Sequence, residues 1–67
     1  MNYTERAIVE RLKNSSPRSS QEIAYTLDQP DPSIRRTLLA MHRRGLVMRD
    51  GSRGDGYRYY LAETDGA

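Results

Sequence analysis

Arginine is concentrated in one stretch of this 67-residue chain. Residues 33–58 contain seven Arg against Asp50 and Asp55, a net charge of +5, whereas the whole chain carries only +2. A guanidinium is a planar fork of N–H donors, which suits phosphate oxygens and the edge of guanine. A charge-rich stretch can also be no more than a solvated surface. Composition alone leaves both interpretations open.

Catalytic chemistry has little support in this sequence. No nucleophile is paired with a base, and Asp50 and Asp55 flank a Gly-rich loop, a poor place to hold carboxylates in a fixed geometry. The chain has one His, His42, and no Cys, so a zinc site lacks ligands. Tyr57 and Tyr59 alternate with polar residues, which indicates core positions rather than base stacking. We therefore expect no enzyme, no metal and no cofactor.

Two short helices are predicted in the first half of the chain, over residues 3–13 and 20–27. Apolar pairs four residues apart mark the buried stripe of each helix. Both starts have capping-box spacing, in which a polar N-cap is followed three residues later by an acid: Asn2 with Glu5 and Ser19 with Glu22.

A third helix is predicted over residues 31–44. Asp31 is the expected N-cap, Pro32 suits the first helical position, and Gly45 suits the left-handed residue after the helix. The buried stripe is predicted to consist of three residues within about 60° of one another at about 100° per residue, Ile34, Leu38 and Met41.

Two strands follow, over residues 46–50 and 57–61, joined by a flexible Gly-rich loop over 51–56. Tyr57, Tyr59 and Leu61 fall on one face of the second strand, with Arg58 and Tyr60 on the other. We predict an α+β fold in one domain, residues 1–62, with residues 63–67 disordered. Its form is a three-helix helix-turn-helix with a C-terminal two-stranded β-hairpin.

The run from Ser33 to Val47, SIRRTLLAMHRRGLV, resembles the recognition helix and first wing strand of winged helix-turn-helix regulators. The MarR, ArsR and PadR groups share its order of a small polar residue, an aliphatic residue, polar residues, Leu and then Gly-Leu-Val. Tyr59-Tyr60-Leu61 is similar to their second wing strand, so the resemblance covers about residues 5 to 62. It implies that the hairpin is a wing.

The resulting interface has two parts. A helix-turn-helix places its second helix, here 31–44, in the major groove of DNA, with outward residues near base edges. Those residues are Ser33, Arg35, Arg36, Leu39 and Arg43. The resemblance implies that wing 49–58 lies on the DNA backbone or in the minor groove, which assigns contacts to Arg49, Ser52, Arg53 and Arg58.

The expected function is double-stranded DNA binding by a small prokaryotic, phage or plasmid transcription regulator. No apolar run approaches the ~20 residues that cross a bilayer, and the N-terminus lacks a signal-peptide core, so we expect a cytoplasmic protein. Only six residues follow Leu61, which leaves no dimerisation helix like that of the resembling families and predicts no small-molecule effector. A homodimer through the first helix or Tyr60 stays open.

Two alternatives remain. Leu39 beside Ala40 on the outward face of the third helix would also suit a winged helix that docks on a protein, such as a nucleic-acid enzyme. Readers of left-handed DNA are similar in layout, but they use a Tyr on the third helix and a Trp in the wing. This chain has neither, which disfavours that alternative.

Overall fold

Three helices and three strands make up the fold, in a computed structural model that describes residues 2–54 and 56–62. The elements are α1 (Tyr3–Asn14), β1 (Arg18–Ser19), α2 (Ser20–Leu27), α3 (Asp31–Arg43), β2 (Val47–Ser52) and β3 (Gly56–Leu61). The disorder predicted for residues 63–67 lies outside the described residues. None of the described helices has the length and apolar character to cross a membrane.

Both predicted capping boxes form. The Asn2 side chain accepts the Glu5 N–H at 2.8 Å, and the Glu5 carboxylate accepts the Asn2 N–H at 3.1 Å. At α2, Ser19 Oγ accepts the Glu22 N–H at 3.1 Å, and Glu22 accepts the Ser19 N–H at 2.9 Å. These bonds satisfy backbone donors that the first turn of a helix leaves unpaired. The predicted bounds of α2 are confirmed, and α1 runs one residue further than predicted.

The predicted N-cap of α3 is wrong. Pro30 is the N-cap, so Asp31 is the first helical residue and Pro32 the second. The Pro30 carbonyl accepts the Ser33 N–H at 3.1 Å, while the Asp31 carboxylate turns along the helix instead of capping it. At the other end Gly45 has φ +79°, as predicted, and α3 ends at Arg43, one residue early.

The core lies where the three helices meet the sheet. The predicted stripe of α3, Ile34, Leu38 and Met41, is fully buried. The other members of the core are Ile8, Leu12, Ile23, Ala24, Val47 and Tyr59. The predicted core position of Tyr59 is therefore confirmed, whereas Tyr57 is only half-buried at the edge of this cluster.

The sheet has three antiparallel strands in the order β1-β3-β2, so the predicted two-stranded sheet is incomplete. β1 pairs Arg18 with Tyr59 and Ser19 with Arg58. A strand of two residues is too short to show alternating polarity, which is why the sequence pattern did not reveal it. The hairpin is also tighter than predicted, since Ser52 still pairs with Gly56.

Candidate nucleic-acid interface

An open groove of about 690 Å³ lies between the N-terminus of α2, α3 and the hairpin. α3 contributes Arg35 and Leu39 to its lining. The hairpin contributes Arg49, Arg53 and Tyr57. Arg58 also lines it, so the fold brings four guanidinium groups from α3 and the hairpin to one concave surface.

The outward face of α3 is exposed along its whole length. Because Ile34 and its stripe face the core, residues on the opposite side of the helix face solvent. Four of the predicted interface residues are exposed there, Ser33, Arg35, Arg36 and Arg43, and Leu39 is 36% exposed. Arg35 and Leu39 turn toward the hairpin and line the groove, whereas Ser33, Arg36 and Arg43 lie outside its lining.

Arg35 is held along the helix by an acid one turn earlier. Its Nε lies 3.5 Å from Asp31 Oδ2, and the Arg35 side chain stays 67% exposed. The second oxygen of Asp31, Oδ1, is buried and has no hydrogen-bond partner within the described residues. The ion pair is thus a weak surface contact that orients Arg35 and leaves most of its donors free.

Arg49 is stacked on an aromatic ring. Its guanidinium carbon lies 4.1 Å from the centroid of the Tyr57 ring. The strand register explains this contact: Arg49 pairs with Tyr59 and Gly51 pairs with Tyr57, so Arg49 and Tyr57 are diagonal neighbours. Alternation places them in the same row as the buried Val47, on the face of the hairpin toward the core.

The tip of the wing carries Arg53 and depends on one glycine. Gly51 has φ +110°, and a Cβ there would collide with the carbonyl oxygen of Gly56. Only Gly fits this position, and it allows β2 and β3 to stay paired as far as Ser52 and Gly56. Ser52 and Arg53 are both exposed at this end of the hairpin.

Arg58 has a different environment from Arg53, although both border the groove. It pairs with Asp50 on one side and with Ser19 on the other. The Ser19 N–H, and then the charges of Arg18 and Arg58, hold the pKa of Glu22 below its usual value. Arg58 therefore takes part in the electrostatics that support the start of α2, as well as lying beside the groove.

Two other arginines form ion pairs with acidic residues outside the groove. Arg44 Nη1 lies 2.9 Å from Glu5 Oε2, which joins the end of α3 to the start of α1. Glu5 is buried, with 7% of its surface exposed. Arg18 donates to Ser15 and lies 3.4 Å from Glu22. The Arg44 side chain stays 54% exposed beyond this contact with Glu5.

Sequence reasoning missed several residues of the groove, Ser19 among them. Ser20 and Gln21, at the start of α2, line it beside Arg35. Tyr57 was predicted to be core but forms part of the wall under Arg49. The alternation of the hairpin could have indicated Tyr57, because it places Arg49 and Tyr57 on one face once the register is known.

Within residues 2–54 and 56–62, no three His, Cys, Asp or Glu side chains are grouped as metal ligands would be. His42 is half-buried, and its Nδ1 lies 3.0 Å from the Val47 carbonyl oxygen. This contact joins the last turn of α3 to the first residue of β2.

Comparison with known proteins supports the architecture. No protein-family model and no curated protein sequence matches the chain. The structure is similar to the crystal structure of a MarR family transcription regulator, with a TM-score of 0.83 and 25% sequence identity. The match covers 94% of this chain and 43% of that protein, so the chain spans less than half of its length. The protein has the winged helix-turn-helix fold that the sequence predicts.

Proposed function

We propose that this chain is a double-stranded DNA-binding domain of a transcription regulator, of the prokaryotic, phage or plasmid kind that the resemblance implies. The observation that carries the proposal is the groove in which Arg35 of α3 faces Arg49 and Arg53 of the wing. Guanidinium groups on a helix and an adjoining hairpin match the charge and shape of a DNA backbone beside the major groove. The likeness to a MarR family regulator supports the same function.

In this proposal α3 enters the major groove and reads bases. Arg35 and Arg36 each present a fork of donors that can bind O6 and N7 of guanine. Leu39, 36% exposed beside them, suits the methyl group of thymine. Ser33 lies in the first turn, where the positive end of the helix dipole favours a phosphate. Arg43, at the other end of the helix, contacts the backbone.

The wing holds the domain on DNA without reading many bases. Arg53 extends from the tip toward the minor groove or the adjoining phosphates. Ser52 and Arg58 contact the backbone on either side of it. Because phosphate contacts carry no direct sequence information, this part of the interface sets affinity and register rather than specificity.

Selection from a random double-stranded DNA pool, followed by sequencing of the bound fraction, tests this proposal. We expect a defined motif for the unaltered protein. Arg35→Ala and Arg36→Ala should relax preference at individual guanines, because each removes a base contact worth about 1–3 kcal/mol. Arg53→Ala should instead weaken binding to all sequences alike.

A control variant removes one positive charge away from the groove. Arg6 is exposed on α1, and Arg6→Ala should leave both the motif and the affinity nearly unchanged. Absence of binding at low salt, or equal losses for Arg6→Ala and Arg35→Ala, would contradict the proposal. A palindromic motif together with a doubled solution mass would add a homodimer to it.

Docking on a protein is the second candidate function. Its support is exposed apolar surface: Leu39 on α3, and the cross-strand pair Met48 and Tyr60, which are 42% and 38% exposed on the wing. The two functions differ in their response to salt, because apolar contacts survive salt concentrations that dissociate phosphate contacts. A partner that stays bound after nuclease treatment at high salt, and is lost in Leu39→Asp, would favour docking.

A further inference from the structure

Two of the groove arginines of the wing, Arg49 and Arg53, differ in how their side chains are held. Arg53 is exposed at the tip. Arg49 is half-buried, four residues before Arg53 and two after the buried Val47, and its guanidinium carbon lies 4.1 Å from the centroid of the Tyr57 ring. An arginine that is free in solution loses rotamer freedom when it binds a ligand, whereas one that already lies on a ring has lost part of that freedom during folding.

Stacking leaves the binding capacity of Arg49 intact. The ring covers one flat face of the guanidinium, while the N–H donors of that group point outward in its plane. A phosphate can therefore accept hydrogen bonds from two of these N–H groups without displacing the ring. The hydrogen-bonding edge and the stacking face of Arg49 do not compete with each other.

The position of Arg49 also differs from that of a wing-tip residue. It lies in the row of β2 that starts at the buried Val47, between α3 and the tip. Arg35 and Leu39 line the same groove from the α3 side. A DNA strand lying between α3 and the wing would therefore pass over Arg49, with Arg53 further out.

We propose that Tyr57 is a positioning residue that holds Arg49 as a pre-oriented ligand for a backbone phosphate of the strand lying between α3 and the wing. This inference rests on the proposed DNA-binding function and assigns one contact within it. Arg49 supplies the charge and the donors, and Tyr57 supplies the orientation.

The experiment measures the affinity of a fixed DNA duplex at several salt concentrations for four variants and the unaltered protein. The variants are Arg49→Ala, Tyr57→Leu, Tyr57→Phe and the double variant Arg49→Ala/Tyr57→Leu. Arg49→Ala should lower the slope of log affinity against log salt by about 0.9, the value for one phosphate contact. Tyr57→Leu should weaken binding roughly two- to fivefold, the strength of an exposed cation–π contact, with the slope unchanged because the charge is still present.

Two further expectations separate positioning from general support of the fold. Tyr57→Phe keeps the ring and should retain the affinity of the unaltered protein. Tyr57→Leu should add no further loss to Arg49→Ala, because Tyr57 acts only through Arg49. An equal loss from Tyr57→Leu in both backgrounds, or a slope that falls in Tyr57→Leu, would overturn the inference.

The stacking itself is measurable without DNA. Side-chain protons of Arg49 over an aromatic ring should show a ring-current shift in the NMR spectrum of the free protein, and Tyr57→Leu should abolish it. Absence of that shift in the unaltered protein would overturn the inference even where DNA binding is found. Absence of DNA binding together with a clear shift would instead contradict the proposed function and leave no phosphate for Arg49 to bind.

Discussion

The two ends of α3 carry arginines in opposite circumstances. At its C-terminal end Arg44 lies 2.9 Å from the buried Glu5 and connects α3 to α1. Toward its N-terminal end Arg35, with Arg49 and Arg53 of the wing, lines an open groove. Arg35 has a half-buried carboxylate partner at 3.5 Å, and Arg49 has an aromatic ring, so their donors stay largely available.

This difference shows that the number of arginines in a stretch of sequence does not give the number that line the binding surface. All four residues belong to the stretch with a net charge of +5. What separates them is the partner: Arg44 binds a buried carboxylate of another helix, whereas Arg35 pairs with a half-buried acid of its own helix and Arg49 lies on a ring. We therefore expect variants of the Arg44–Glu5 pair to change stability, and variants of Arg35, Arg49 and Arg53 to change DNA affinity.

The largest expected effect is a loss of folding stability on removal of Glu5. Glu5→Ala removes both the acceptor of the Asn2 N–H and the partner of Arg44, and should lower the free energy of unfolding by about 2–3 kcal/mol. Glu10→Ala on the same helix is the control, because its pair with Lys13 is exposed and 3.8 Å long. Urea denaturation measures both, and equal losses would contradict a special role for Glu5.

The next effect tests whether folding requires the positive φ of Gly51 in the wing. Gly51→Ala should destabilise the protein by about 2 kcal/mol, because φ is +110° and the added Cβ meets the Gly56 carbonyl oxygen. Gly54→Ala adds a Cβ that meets no atom within 4 Å and should be nearly neutral. Thermal unfolding compares the two variants, and a neutral Gly51→Ala would show that the tight hairpin is not required.

A smaller effect is expected on DNA affinity when an arginine of the groove is removed. Arg53→Ala should lower the salt slope of DNA affinity by about 0.9 and leave the free energy of unfolding within about 0.5 kcal/mol, because its side chain is exposed at the wing tip. Fluorescence anisotropy at several salt concentrations measures the slope. An unchanged slope would remove Arg53 from the interface.

The smallest effect concerns pH. The Ser19 N–H, Arg18 and Arg58 lower the pKa of Glu22 in the folded state from its usual 4.5, so its ionised form stabilises the fold above that pH. This contribution is lost as pH falls through the lowered pKa. Thermal unfolding of the unaltered protein and Glu22→Gln should therefore differ at neutral pH and converge in acid. A difference that grows in acid would have the wrong sign.

Much of the fold was predictable because local chemistry agrees with it. Capping boxes at Asn2 and Ser19, and the left-handed Gly45, mark helix ends through bonds within a few residues. The N-cap of α3 was not predictable in this way, because Asp31 has the side chain that N-caps favour, whereas Pro30, which has no side-chain acceptor, takes the position. β1 was missed since two residues have no measurable period.

The candidate site was predictable in its residue types and not in its partners. Periodicity placed Arg35 on an outward face and Arg49 in a strand. It did not show that Arg49 stacks on Tyr57, which depends on the register of the hairpin, or that Arg44 binds Glu5, which is 39 residues away in sequence. Register and helix packing decide these pairings, and neither follows from a local pattern.

The most direct test of the central claim compares two double variants that remove the same charge. Arg49→Gln/Arg53→Gln alters the groove, and Arg6→Gln/Lys13→Gln alters α1. With a duplex chosen by selection, the groove variant should lower the salt slope of affinity by about 1.8, two phosphate contacts' worth, and the α1 variant should leave it unchanged. Equal slopes for the two variants would show that binding follows net charge alone and would contradict a DNA interface in the groove.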